Sequence, residues 1–227
     1  MPYFLQGKDM KRIPEPELMN RPEQAHAYAM ADFSWPNELF MQLFNDSFPK
    51  AEPGRILDLG CGPGDITIAF ARKFPQAEII GVDGAQNMLA YGCKNIKETE
   101  IEARVSFVEA HIPGLQLEGK FDTIISNSLL HHLQNPLSLW ETVKIYGKAG
   151  AGVLIMDLLR PANTEQAKDF VQRYAEKEPP ILQEDFFNSL LAAYTVSEVR
   201  AQIATVGLNG FTVRQVFDRH WAAHGTL

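Results

Sequence analysis

A chain of 227 residues, 45% apolar and 22% charged, carries enough material for one full hydrophobic core and is too ordinary in composition to be fibrous, low-complexity or intrinsically unstructured. Its formal charge of −7 argues against a nucleic-acid partner, which a basic surface would favour. Two cysteines, Cys61 and Cys93, give neither a disulfide framework nor paired zinc ligands and fit a reducing, cytoplasmic setting; no stretch approaches the ~20 apolar residues that span a bilayer.

The chain opens on a lead-in over residues 1–21, punctuated by Pro2, Pro14 and Pro16, with acid and base mixed and no signal-peptide core. A short helix is expected from Pro22 to Ala31 with Tyr28 on its apolar side, then a second helix capped by Ser34-Trp35-Pro36. In that second helix Phe40, Phe44 and Phe48 recur at every fourth position, as Leu39 and Leu43 do, which predicts one apolar stripe. From residue 54 short β-rich runs alternate with helical ones: strand 55–59, helix 65–74, strand 78–82, helix 86–97, strands 104–109 and 121–126, helix 136–147 and strand 152–157. Such alternation predicts βαβ units, hence a mostly parallel sheet with helices on both faces. A helix over 164–176 follows, broken by Glu178-Pro179-Pro180, and then an apolar-aromatic insertion over 181–194. Thr195-Val196-Ser197-Glu198 reads as a capping box opening a helix that ends at Gly207. Two short strands near 211–216 and 218–225 are expected to pair as an antiparallel hairpin at the sheet edge. The organisation expected is an N-terminal arm with cap helices over 1–49 and a main domain over 50–227 with a cap insertion at about 161–194.

The densest chemical signal is the run from Arg55 to Asp65, an apolar strand followed by Gly60, Cys61, Gly62, Pro63 and Gly64. Glycine lets backbone approach a ligand where a Cβ would collide, and the N–H groups at the next helix start attract negative charge. Asp83 closes the second strand, 19 residues beyond Gly64, about where an open parallel sheet sets a carboxylate against ribose hydroxyls. Together these predict an adenosine-type cofactor. The spacing is G-x-G-x-G, whereas the dinucleotide fingerprint is G-x-G-x-x-G, and Asp65 stands where its third glycine would fall. A nicotinamide-dependent oxidoreductase would also need a hydride site of the Tyr-x-x-x-Lys kind, which does not follow the fourth strand. A non-catalytic binding protein would show decay in these motifs, and they are intact.

Other positions carry two readings each. His131 and His132 suit proton removal near neutral pH, with His131 the better candidate for a general base, or they pack and cap a loop. Asp157 closes a strand at the end where open α/β sheets bind ligands, as a substrate contact or a helix-entry cap. Arg160 would pair with an anionic substrate group or with a surface acid. Tyr28, Phe33, Trp35, Phe186, Phe187 and Tyr194 would wall a pocket or simply bury the cap helices.

The set Leu57-Asp58-Leu59-Gly60, Cys61-Gly62-Pro63-Gly64 and Gly81-Val82-Asp83 resembles the first two signature motifs of the class I S-adenosylmethionine-dependent methyltransferases. Phe121 to Asn127 resembles the family's fourth strand, Leu129 to Leu133 a loop of many small-molecule members, and Gly150 to Asp157 its fifth strand. The ending Asp157-Leu158-Leu159-Arg160-Pro161 is similar to the quinone-methylating branches. The resemblance spans roughly residues 50–225. It implies a doubly wound, Rossmann-like, seven-stranded sheet with an antiparallel C-terminal edge hairpin and direct methyl transfer from S-adenosylmethionine to a small molecule, without a metal. By position, Gly60, Gly62 and the backbone around Cys61 would line the methionine moiety, Asp58 would hold the loop and orient the cofactor ammonium, and Asp83 would accept both ribose hydroxyls. Gly84, Ala85 and Met88 would flank the adenine, Ser126 or Asn127 would offer backbone to the methionine end, and Glu109 or the backbone of Ala110 and His111 would meet the adenine amino group. Enzymes that methylate nucleic-acid bases at amino groups carry an Asn/Asp-Pro-Pro-aromatic motif after the fourth strand; here the stretch is Ser126-Asn127-Ser128-Leu129.

Overall fold

Strands buried on both faces need both faces covered, and Ile56, Leu57, Asp58 and Leu59 are all buried along β1 (Arg55–Leu59). A computed structural model describes residues 10–15 and 20–227; the rest of the expected lead-in, 1–9 and 16–19, lies outside the described residues. The sheet adds β2 (Glu78–Asp83), β3 (Val105–Glu109), β4 (Phe121–Asn127), β5 (Gly147–Leu158), β6 (Thr212–Phe217) and β7 (His220–Thr226), in the order β3-β2-β1-β4-β5-β7-β6. The pairs among β1 to β5 are parallel, and β7 runs antiparallel to both β5 and β6. The expected edge hairpin is therefore inserted with its second strand inward.

The two faces separate by alternation. Leu57, Leu59, Ile124, Val153, Ile155, Trp221 and Ala223 pack with Trp140 and Val143 of α5 (Leu137–Tyr146) and with Val199 and Ile203 of α8 (Val196–Thr205). On the other face Ile56, Ile79, Ile125, Leu154, Met156 and Ala222 pack with α3 (Asp65–Lys73), with Ile96 of α4 (Gln86–Ile96), and with Phe40, Leu43 and Phe44 of α2 (Ser34–Ser47). The phenylalanine stripe of α2 thus belongs to the helical layer on the sheet. A third cluster joins Leu158 to α6 (Thr164–Ala175) and α7 (Pro180–Ala192), and Ala25 of α1 (Pro22–Met30) packs on Ala85 and Met88.

Local chemistry accounts for where the elements differ from expectation. Ser34 does not cap α2; Phe33 holds that position and the Asp32 carboxylate accepts from the Ser34 amide at 2.9 Å. The expected apolar-aromatic insertion is mostly the helix α7, started by Pro180, whose missing N–H costs nothing in a first turn. β5 begins at Gly147 because Gly150 and Ala151 pair with the backbone of Leu227 beyond β7. The capping box at Thr195 and Glu198 forms in both directions.

One ring fixes how β2, β3 and α4 approach. A Cβ on Gly64, Gly81 or Gly92 would stand 2.6, 2.9 and 2.8 Å from the ring of Phe107 on β3. Hemmed by these backbones, the ring has no easy retreat. Gly92→Ala is expected to destabilise the protein by about 1–3 kcal/mol through overpacking, although alanine is the better helix former. Urea melts should show this loss, and Phe107→Leu in the same chain should recover part of it.

Candidate active site

Strand order reverses between β1 and β4, which opens a crevice at their carboxyl ends. A cavity of about 700 Å³ occupies it, lined by the strand-end loops, by the α1–α2 junction, by α6 and α7 and by the β6–β7 turn. That volume lies in the usual range for small-molecule and cofactor sites.

The three glycines of the bend do different work. A Cβ on Gly60 would stand 2.7 Å from Leu129, and one on Gly64 would strike Phe107, so both serve packing between protein parts. Gly62 alone of the three faces open space, with φ +53 and nothing within 4 Å of a notional Cβ. The bend is held still around this gap. Gly60 and Cys61 amides donate to Val82 O at 2.8 and 3.0 Å, and the Gly62 amide donates to Asp83 Oδ2 at 2.9 Å. Asp83 Oδ1 accepts from the Ala85 amide at 2.8 Å, so one carboxylate ties the bend to the entry of α4.

Asp58 lies beneath the bend, 1% exposed, and its Oδ2 accepts from the Thr67 hydroxyl at 2.6 Å. Burial pushes its carboxyl up to about 7. Burial also holds the Cys61 thiol well above its ordinary range, so Cys61 is neutral packing and not a nucleophile. Asn127 lines the cavity with a buried Oδ1 that has no partner among the described residues, while the Ser126 hydroxyl donates to Leu59 O at 2.7 Å. Gly84, Ala85, Met88, Ala110 and His111 line the same cavity; Glu109 does not.

The short helical turn Leu130–His132 brings a second set of groups to the wall. Asp157 Oδ1 lies 2.5 Å from His131 Nδ1, and Asp157 Oδ2 accepts from the His131 amide at 3.2 Å. Burial would lower the imidazole pKa, but the neighbouring Asp157 carboxylate outweighs it and raises it. A proton on Nδ1 shared with Asp157 leaves the lone pair on Nε2, the state a general base requires. His132 pairs in turn with Glu15, whose Oε1 accepts from the Ser189 hydroxyl at 2.5 Å. Burial opposes ionisation of Glu15, yet its bonds and the histidine charges take it down to about 2. Donor atoms of Glu15, His131 and His132 lie within 4.8 Å of one another, close enough for a divalent cation, a grouping that does not show in the linear chain.

The expected walls divide. Tyr28 and Phe33, with ring centroids 4.4 Å apart, and Phe186 line the cavity. Trp35, Asp157, Arg160, Phe187 and Tyr194 fall outside its lining. Trp35 is 41% exposed and stacks on Phe217 at 4.4 Å. Arg160 is buried against Glu198 at 2.7 Å, completing the cap of α8, so it takes the acid partner and not a substrate anion. Tyr194 lies under the Arg12 guanidinium, 4.3 Å from its ring centroid. Asp157 meets the cavity only through His131. Arg12 donates to Ala192 O at 2.6 Å and His131 O at 2.8 Å, and with Glu15 it straps residues 10–15 onto the turn. Sequence reasoning passed over Arg12, Glu15, Thr67, Arg219 and His220; their partners are distant in the chain, and no spacing marks them.

A family model described as a methyltransferase domain matches residues 51–202. Trans-aconitate 2-methyltransferase of Methylobacterium nodulans is 31% identical over 152 residues, 67% of this chain and 53% of that protein. A malonyl-[acyl-carrier protein] O-methyltransferase of Priestia megaterium is 31% identical over 134 residues, 59% and 46% of the two chains. The ubiquinone/menaquinone biosynthesis C-methyltransferase of Syntrophotalea carbinolica is 30% identical over 115 residues, 50% and 47% of the two. The chain spans about half the length of these curated relatives. Among solved structures, the plantazolicin methyltransferase BamL in complex with a triazolic desmethylPZN analog and SAH superposes with a TM-score of 0.72 at 15% identity, covering 91% of each chain.

An acid whose pKa is raised on folding binds its proton more tightly in the folded state, so stability falls as pH rises from its ordinary value near 3.8 towards about 7. Asp58→Asn removes that loss. The gain of the variant over the parent, from urea melts, should grow with pH to about 4 kcal/mol and level off above pH 7; a gain that does not change with pH would mean Asp58 is solvated.

Proposed function

The chain belongs to the methyltransferase-domain family, and from that premise we propose that it is an S-adenosylmethionine-dependent methyltransferase that acts on a small molecule in the cytoplasm by direct methyl transfer. The observation that carries this reading is the bare, immobilised backbone at Gly62 beside Asp83, in a cavity large enough for cofactor and acceptor together. The buried and unpartnered Oδ1 of Asn127 supports it, since an orphaned acceptor in a cavity wall calls for a donor from a ligand. When bound, the cofactor supplies a sulfonium-activated methyl group with a good leaving group.

What remains for the protein is to hold, orient and exclude water. Gly60, Gly62 and the Cys61 backbone hold the methionine end, with Asp58 as counter-charge to its ammonium. Asp83 takes the ribose hydroxyls on lone pairs not spent on Gly62 and Ala85. Gly84, Ala85 and Met88 flank the adenine, and Ala110 and His111 meet its edge. His131, oriented by Asp157, takes the proton that the acceptor loses. Residues 10–15, α1, α6 and α7 form the cap over the site, and the Gln24 amide donating to Asp185 at 3.0 Å fastens α1 to α7. Relatives named for trans-aconitate and for ubiquinone and menaquinone biosynthesis support a small acceptor. The net charge of −7 and the absence of a base-methylating motif speak against a nucleic acid. Among the described residues no helix is long and apolar enough to cross a membrane.

Calorimetry with S-adenosylmethionine, S-adenosylhomocysteine and NAD tests the reading directly. The first two should bind and NAD should not. Asp83→Ala should cost about 1.5–3 kcal/mol of cofactor affinity. Gly62→Asn meets no protein atom at its Cβ, and asparagine tolerates the positive φ of this position better than other side chains, so the variant should remain folded and lose the cofactor to the side chain projecting into the cavity. His131→Ala should leave cofactor affinity within about twofold and lower kcat by about 10²–10⁴-fold, the usual share of a general base.

A further inference from the structure

Among the described residues the cavity lining includes one arginine and no lysine, and the roles assigned so far leave that arginine unused. Arg219, at the β6–β7 turn, lines the cavity and is 7% exposed. Its guanidinium lies 3.4 Å from the centroid of the Tyr174 ring, with the Trp35 and Phe217 rings at 5.3 and 5.6 Å. Its one side-chain hydrogen bond among the described residues runs from Nη1 to Asp218 Oδ1, at 3.2 Å. A guanidinium carries five N–H donors in a fixed fork, so beside Asp218 and the adjacent Tyr174 hydroxyl it has donors to spare among the described residues. His220, its neighbour in the chain, lines the same cavity, is 4% exposed, and has a buried Nδ1 without a partner among the described residues. A caged cation and an orphaned imidazole nitrogen side by side in a cavity wall are an incomplete hydrogen-bonding set, and an anion completes it.

The cavity's other charges say where that anion belongs. Asp58, Asp65 and Asp83 crowd the glycine bend, the end assigned to a positively charged cofactor. Asp32 accepts from the Ser34 amide and Asp185 from the Gln24 amide. Glu178 lies between α6 and α7. Apolar side chains Tyr28, Phe33, Leu182 and Phe186 complete the lining.

We propose that Arg219 and His220 form a subsite for a carboxylate of the methyl acceptor, whose apolar body rests against Tyr28, Phe33, Leu182 and Phe186. The inference rests on the methyltransferase reading and narrows its substrate class to small carboxylic acids. Guanidinium geometry matches a planar carboxylate. One Arg and one imidazole offer little to a phosphate dianion, with Asp218 close by.

The test uses the full chain saturated with S-adenosylhomocysteine, with phenylacetate, phenylacetamide and inorganic phosphate as probes and the His220 imidazole followed by NMR. The groups facing that imidazole are Arg219, Asp157, Asp218 and His131; burial and Arg219 depress its pKa to about 4. Phenylacetate should bind at least tenfold tighter than phenylacetamide, raise the His220 pKa by a unit or more, and lose the preference in Arg219→Gln. Equal affinity for acid and amide, an unmoved His220, or phosphate outcompeting phenylacetate each overturns the proposal. If Arg219→Gln does not fold, the acid–amide comparison on the parent protein decides. Calorimetry of S-adenosylhomocysteine on the same samples separates the two levels: no binding sinks the methyltransferase reading, whereas binding without a carboxylate preference sinks the subsite alone.

Discussion

A single carboxylate, Asp83, accepts from two backbone amides at once, Gly62 in the bend after β1 and Ala85 at the entry of α4. Without it the segment between β1 and α3 would be a glycine-rich loop with the mobility that glycine brings. With it, a stretch of peptide bare of side chains is fixed in place at the mouth of the crevice. Parallel pairing puts β1 beside β2 with Leu59 opposite Val82, which sets the bend over the end of β2 and brings Asp83 within reach. The remainder of the site is arranged around that fixed edge, from Asp58 beneath it to the Leu130–His132 turn beyond β4.

The cavity divides its electrostatics between two ends. Carboxylates gather by the bend, where burial makes ionised Asp58 costly unless a cation comes to it. On the other side His131 with Asp157 and His132 with Glu15 are two imidazole–carboxylate pairs whose rings lie 4.1 Å apart. Each imidazole has its own carboxylate partner, which lets two histidines sit together in a buried wall. Arg219 stands apart from both groups, steadied by aromatic faces that tolerate a guanidinium and yet leave its hydrogen-bonding edge available.

Most of the sheet was legible in the chain, because alternation and turn chemistry are local properties. The strand 55–59 and the helices after the glycine bend and after Asp83 fall within a residue of expectation, and the box at Thr195 closes as Thr and Glu at that spacing should. The cavity wall was legible where it is made of consecutive residues: the bend, Asp83-Gly84-Ala85, Ala110-His111 and His131 all line it. It was illegible where it is made by folding. Arg160 reads equally as the partner of an anionic substrate group or of a surface acid, and only the fold shows that the capping glutamate of α8 claims it. Arg219 is the cavity's arginine, delivered by a hairpin that the pattern marked only as a sheet edge. Even the motif glycines divide in a way spacing does not reveal, since two of them face Leu129 and Phe107 and one faces the cavity.

The segment 10–15 lies outside the stretch matched by the family model, residues 51–202, and yet it touches the Leu130–His132 turn directly. Its Arg12 binds the carbonyl of His131 and its Glu15 the ring of His132, so the posture of both histidines depends partly on a ribbon far from them in the chain. Altering this ribbon would change the surroundings of both imidazoles from outside the sheet, while the glycine bend and its tie to Asp83 stay as they are.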